Sequence, residues 1–283
     1  MRTLVALVLT SSLVGCTLTG SGVAKTEHRE VAHFDTIVAA DIVDVLVRSD
    51  APSGSLEVRC DDNVIDHLET HVTDGVLTVG FGGAGVSVST ACAVVTGNMA
   101  LVEVVSSGVG TITVDGPAWS LATVRAESVG SIQVDLRPGS HEEAATELLE
   151  EGASSERLLQ DDGATEPLGH ADHITIETLD IGEVQVSGLS AQQVDVWSES
   201  TGDVVLHGQT EGLVVDAHGL GHVNARQLTA REVEIHASSV AHVTATATES
   251  VDVENTGIGA VIIYGDPDTR SVVDDNVGEV VFR

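Results

Sequence analysis

Short runs of strict alternation between aliphatic and polar residues recur along the chain, and each follows a small residue. Aligning SSGVGTITVDG (106–116), ESVGSIQVDL (127–136), LDIGEVQVSG (179–188), ESTGDVVLHG (199–208), HGLGHVNARQ (218–227), SSVAHVTATA (238–247), TGIGAVIIYG (256–265) and DNVGEVVFR (275–283) puts that residue in one column. The column is Gly110, Gly130, Gly182, Gly202, Gly221, Ala241, Gly259 and Gly278, with spacings of 20, 52, 20, 19, 20, 18 and 19. Two and four places beyond it the chain is aliphatic: Ile112 and Val114, Ile132 and Val134, Val184 and Val186, Val204 and Leu206. Eight and six places before it the same rule gives Val102 and Val104, Ile174 and Ile176, Val194 and Val196, Val233 and Ile235, Val251 and Val253. Alternation of period two predicts strands with one buried face, so two strands flank each small residue. The position just before it is also aliphatic (Val109, Val129, Ile181, Leu220, Val240, Ile258), and these side chains are expected to turn inward.

A unit of this length with two short strands cannot bury its apolar face alone. Parallel stacking of such units, about 4.8 Å apart, gives a continuous core and asks for the same residue type at the same column in every unit. An antiparallel sandwich makes no such demand. The expected fold is therefore all-β, a parallel β-helix or solenoid of about 20 residues per rung. Helix is disfavoured by regular glycine and by the abundance of Val, Ile and Thr.

The 52-residue interval contains an acidic insertion, residues 138–171, with nine acids and one arginine. Ser140-His141-Glu142-Glu143 has the form of a capping box and is followed by Ala144, Ala145, Leu148 and Leu149 at helical spacing, so the insertion has helical character available to it. It reads foremost as a solvated excursion.

The chain opens MRTLVALVLTSSLVGC, a basic residue and an apolar run too short to span a bilayer, which reads as a secretory signal over residues 1–15. Leu13-Val14-Gly15-Cys16 resembles a lipobox, which implies cleavage before Cys16 and lipid on its thiol. Residues 16–30 then read as a lipid-anchored linker and 31–283 as a single domain, in a bacterial envelope protein of the outer membrane. Removing residues 1–15 takes Arg2 from the 12 basic residues and leaves 11 against 44 acidic ones. That balance excludes nucleic acid as a partner, since phosphate recognition needs clustered Lys and Arg, and Lys25 is the only lysine. Beyond Cys16 there remain Cys60 and Cys92, an even pair in a chain that leaves the cytoplasm; a disulfide and two buried thiols are both open.

REVAHFDTIVAADIVDVLV (29–47), DDNVIDHLETHVTDGVLTV (61–79), the S-x-G turns and the terminal VIIYGDPDTRSVVDDNVGEVVF (261–282) resemble the auto-transporter adhesin head GIN domain family. The resemblance covers nearly all of the chain after the signal. It implies a right-handed parallel β-helix in an envelope protein, opened by a hairpin and by an Asp-Asp-Asn turn, short helix and strand pair. It supplies no catalytic residues. The family's Ser-Gly-Ser-Gly-Asp turns are eroded here to ESTG, HGLG and SSVA.

Other motifs carry less. Gly80, Gly82 and Gly85 have dinucleotide-site spacing but are followed by VSVST, a strand where such a site needs a helix, so no cofactor is expected. His67 and His71 bracket Glu69 at the wrong offset for a zinc helix and read as a polar helix end entering a strand. Of six aromatic residues only Trp119 and Trp197 could stack on sugars. Just beyond the small-residue column stand Thr111, Ser131, Glu183, Asp203, His222, His242, Ala260 and Glu279, an outward column. Within it Asp203, His222 and His242 fall on three successive rungs and form a candidate zinc or copper set, against the default of a solvated polar edge. The expected function is that of a non-enzymatic, lipid-anchored scaffold, adhesin-like, displaying repetitive polar faces to an envelope or surface macromolecule. The alternatives are a divalent-cation-binding protein and, further off, a polysaccharide-active enzyme. The sequence leaves the oligomeric state open.

Overall fold

The computed structural model describes residues 17–82, 85–98, 100–116, 120–136, 171–274 and 277–283. Residues 1–15, Cys16, Trp119 and the expected helix after Ser140 lie outside these, as does the rest of the insertion except Ala171. Ala171 does not close the insertion; it opens the strand Ala171–Thr178.

The fold is all-β, with open sheets arranged as two parallel ladders. One ladder lies upstream of each small residue and aligns Leu77, Ile37, Val104, Val124, Ile176, Val196, Val215, Ile235 and Val253 in one column. The other lies downstream and aligns Val94, Val45, Ile112, Ile132, Val184, Val204, Val223, Val243 and Val261. Both columns are buried, as are Val114, Val134, Val186, Leu206, Ala225 and Ala245. Like residues sit on like because a parallel pair without a slip repeats one inward set in every strand. Each fully buried valine or isoleucine contributes roughly 1.5–3 kcal/mol.

Two inward expectations are corrected. Val102 is exposed and Leu101 is buried beside it; the strand starts at Glu103, so Val102 precedes the alternation that buries Val104. The aliphatic residues just before the small-residue column point outward, with exposures from 37% at Val240 to 59% at Ile258. The phase of alternation resets across the turn, and a residue inside that reset has no inward or outward assignment from the strands on either side.

The small-residue column is a steric requirement. None of its glycines uses the left-handed backbone region. A Cβ on Gly221 would lie 2.0 Å from the carbonyl oxygen of Gly202 on the neighbouring rung.

Rung order departs from chain order at the N-terminal end. Strands Thr36–Ala39 and Val43–Arg48 are covered on one side by Val76–Gly80 and Cys92–Thr96, and on the other by Glu103–Ser106 and Thr111–Asp115. The chain thus builds its second rung first and returns to add the end. Antiparallel strands complete that end: Ala24–Glu30 on Ser55–Asp61, Ser55–Asp61 on Cys92–Thr96, and Glu69–Thr73 on Val76–Gly80. The only helix among the described residues is the single 3-10 turn Ile65–His67.

Residues 17–30 are not a free linker. Leu18–Thr19 pairs with Val86–Ser87, and Ala24–Glu30 pairs along its whole length. Asp61, Asp62 and Asn63 clasp the segment between. The buried Asp61 carboxylate accepts from the backbone N–H groups of Gly22 at 2.9 Å, Ser89 at 2.7 Å and Thr90 at 3.1 Å. Asn63 accepts from the Ser21 N–H and donates to the Thr19 carbonyl, and Ser21 Oγ donates to Asp62. Burial pushes the Asp61 carboxyl up, but the N–H groups facing it outweigh burial and hold it below the ordinary carboxylate range. Beside the clasp, Cys60 and Cys92 are buried and joined as a disulfide, with Cα atoms 4.2 Å apart.

Candidate functional site

Parallel stacking converts each outward position into a column of side chains about 4.8 Å apart, so the functional surface of this chain is a set of columns. In the column that holds the candidate metal set, His222 and His242 pair in register and their rings lie 5.1 Å apart, tilted by 53°. Asp203 does not join them as a ligand. Its Oδ1 accepts the backbone N–H of His222 at 3.0 Å, while His242 Nδ1 lies 3.1 Å from the Val240 carbonyl. The acid is drawn to the nearest unpaired backbone donor, and no group of three His, Cys, Asp or Glu among the described residues is placed to hold an ion. The three-residue metal set is therefore not assembled.

The outer face of the upstream ladder carries more charge. Gln193, Gly212, Glu232 and Ser250 form one column, and Asp195, Val214, Glu234 and Asp252 the next. Gly212 has no side chain, and a recess of about 300 Å³ opens there between Gln193, Glu232, Glu234, Ser250 and Asp252. It is rich in acceptors and open to solvent, a shape for hydroxyl or ammonium groups. His236 stands beside it, with Nε2 2.9 Å from Glu234 and Nδ1 3.6 Å from Glu254. Burial pushes its imidazole down, but the Glu234 hydrogen bond and the charges of Asp216, Glu234 and Glu254 win and raise its pKa above the ordinary value. His173 Nε2 contacts Asp195 at 2.9 Å.

Arg231 spans three rungs, 2.6 Å from Glu211 on one side and 2.8 Å from Glu249 on the other. Its spacings of 20 and 18 match the repeat, a signal present in the sequence but not read from it. Trp197 is 41% exposed, and its ring centroid lies 5.1 Å from that of His218. Gly80, Gly82 and Gly85 lead from one strand to another, and His67 ends the 3-10 turn while His71 lies in a strand.

Sequence reasoning missed the longest feature of this surface. Val109, Val129, Ile181, Leu220, Val240 and Ile258 form an exposed aliphatic stripe along the turn edge, continued by Val277 at 85% exposure. Thr201 is the one polar member of the column.

The profile of the family described as "Putative auto-transporter adhesin, head GIN domain" matches residues 33–267. The chain belongs to this family. Among solved structures it is similar to a putative adhesin from Bacteroides fragilis, at 20% identity and a TM-score of 0.62, with 94% of this chain and 100% of that one covered. A putative lipid binding protein from Parabacteroides distasonis matches at 18% identity and a TM-score of 0.71, over 94% of this chain and 99% of the other. A putative adhesin from the same species matches at 18% identity and a TM-score of 0.69, over 94% and 100%. At these identities the likeness carries the fold. Comparison with curated proteins finds no match. No helix among the described residues is long and apolar enough to cross a membrane.

Proposed function

We propose that this head GIN domain protein is a non-enzymatic, lipid-anchored scaffold of the cell envelope, whose two ladders are two faces of a right-handed parallel β-helix. The observation that carries the reading is the clasp of Asp61, Asp62 and Asn63 on Thr19, Ser21 and Gly22, which fixes the chain to the end rung within a few residues of Cys16. An acyl group on Cys16 would then hold that end at the membrane. Family membership supports an adhesin-like role at the envelope. The acceptor-rich recess at Gly212 suits an envelope or surface macromolecule that offers hydroxyl or ammonium donors.

The test uses expressing cells fed labelled palmitate. Wild-type chain is expected to incorporate label and to stay with membranes, and Cys16→Ser to do neither; an unlabelled chain retained in both cases would remove the anchor from the reading. For the scaffold role, the full chain is assayed for retention by envelope fractions. The triple variant Glu232→Gln, Glu234→Gln, Asp252→Asn is expected to lower that retention, and equal retention would move binding away from the recess.

A further inference from the structure

The exposed stripe is unusual in a chain with 44 acids, because the residues beside it are mostly neutral. In the column just beyond the small residues, Thr111 and Ser131 stand at one end, and Ala260 followed by Glu279 at the other. Outside the middle four rungs the flanking columns carry Glu127 on the second rung and Glu279 on the eighth; within the middle four, charge is denser and it is ordered. Glu183 and Asp203 occupy the third and fourth rungs of the stripe, counting from Val109, while His222 and His242 occupy the fifth and sixth. The column on the other flank repeats the arrangement, with Glu199 on the fourth rung and His218 on the fifth. All six side chains are exposed.

A ridge of eight rungs ordered in this way is complementary to itself when turned end for end. A two-fold axis across the ridge, passing between Thr201 and Leu220, sets the third rung of one copy against the sixth of the other, and the fourth against the fifth. Glu183 then faces His242, Asp203 faces His222, and Glu199 faces His218. Along the ridge Val109 meets Val277, Val129 meets Ile258, Ile181 meets Val240, and Thr201 meets Leu220. An aliphatic side chain thus stands in every pair, and no acid in the flanking columns is set against another acid. The same stripe paired in parallel would bring like rungs together and lose this match. With a flanking column on each side the ridge is about 34 Å long and roughly 20 Å wide, close to the ~800 Å² per partner of a stable interface. Remote acids repel, but at physiological salt the Debye length of about 8 Å confines that repulsion to near neighbours.

We infer that the occupant of the stripe is a second copy of this chain, joined in an antiparallel two-fold dimer centred between Thr201 and Leu220. The inference needs only the registers of the two ladders and does not depend on lipidation or on the ligand of the scaffold.

Single cysteines added to the full chain test it in expressing cells, where Cys60 and Cys92 are buried in their disulfide and the chain with no added cysteine sets the background from Cys16. Leu220→Cys and Thr201→Cys lie next to the axis and are expected to give a dimer band with a short bis-maleimide. Val109→Cys, about 34 Å from its mate, is expected to give none. His222→Asp should lower the Thr201→Cys band at least ~10-fold by setting acid against acid. Adding Asp203→His should restore it, because the exchange preserves the pairing. Glu183→His with His242→Glu gives a second exchange in case loss of the Asp203 turn contact unfolds the first, and circular dichroism checks the fold of each. A monomer at every position, or crosslinking at Val109→Cys as strong as at Leu220→Cys, would overturn the dimer. So would exchanges that fail to restore the band in folded protein, or a monomer that binds phosphatidylcholine vesicles through Leu220.

Discussion

Asp203 Oδ1 accepts the backbone N–H of His222 across neighbouring rungs at 3.0 Å, so the acid ties two turns together through the backbone. Asp203→Ala is expected to cost about 0.5–1.5 kcal/mol, the worth of one such bond, and Asp203→Asn, which keeps an acceptor, less. Val204, the next residue, is buried, and Val204→Asp should cost several kcal/mol by placing an unpaired charge in the core. Urea unfolding of the three variants checks the order; equal sensitivity at Asp203 and Val204 would contradict the register.

The small-residue column predicts a second asymmetry. Gly221→Val places a Cβ 2.0 Å from the Gly202 carbonyl, and backbone on the neighbouring rung cannot rotate away as a side chain can. A loss of about 3 kcal/mol or more is expected. Ala241→Gly, at the one position of the column that carries a methyl, should change stability by no more than ~1 kcal/mol. Thermal unfolding of both compares them directly.

Cys60 and Cys92 are 32 residues apart and pin the antiparallel end of the stack. Replacing both by serine should destabilise by about 2–4 kcal/mol, chiefly by freeing the unfolded chain. The loss should fall on the capping strands first. Proteolysis is expected to cut within residues 49–96 of the double variant before it reaches the strands beyond Ala171, and simultaneous cutting throughout would argue against an end-specific role.

Acid should open the N-terminal clasp late. The Asp61 carboxyl is held below its ordinary range by the N–H groups of Ser89, Thr90 and Gly22, so its contribution is complete above the unfolded-state pKa and is lost as pH falls through the lower folded-state value. Amide exchange at Gly22, Ser89 and Thr90 should stay protected below pH ~3.9, where an ordinary aspartate is half protonated. Asp61→Ala should remove that protection at neutral pH as well. Loss of protection in the wild type well above pH ~3.9 would mean the carboxylate does not hold the clasp.

The sequence by itself determined the two ladders, the small-residue column and the buried pairs such as Val204 and Leu206. Parallel stacking sets like on like, so the same inward set is written in every repeat and can be read from any two of them. It did not determine which way Val109, Ile181 or Leu220 points, because alternation is reset within the turn and only the packed backbone decides the side. It placed Asp203 beside two histidines in register but could not show that a backbone N–H would claim the carboxylate. The tertiary structure alone decided that the rung of Ile37 and Val45 lies between those of Leu77 and Ile112. That order depends on contacts between segments far apart in the chain, and a repeat pattern is the same whatever the order in which its units stack. Asp61 reads in the sequence as part of a turn. It becomes a clasp only when Gly22, Ser89 and Thr90, from two other parts of the chain, bring their N–H groups to one carboxylate that burial has stripped of water.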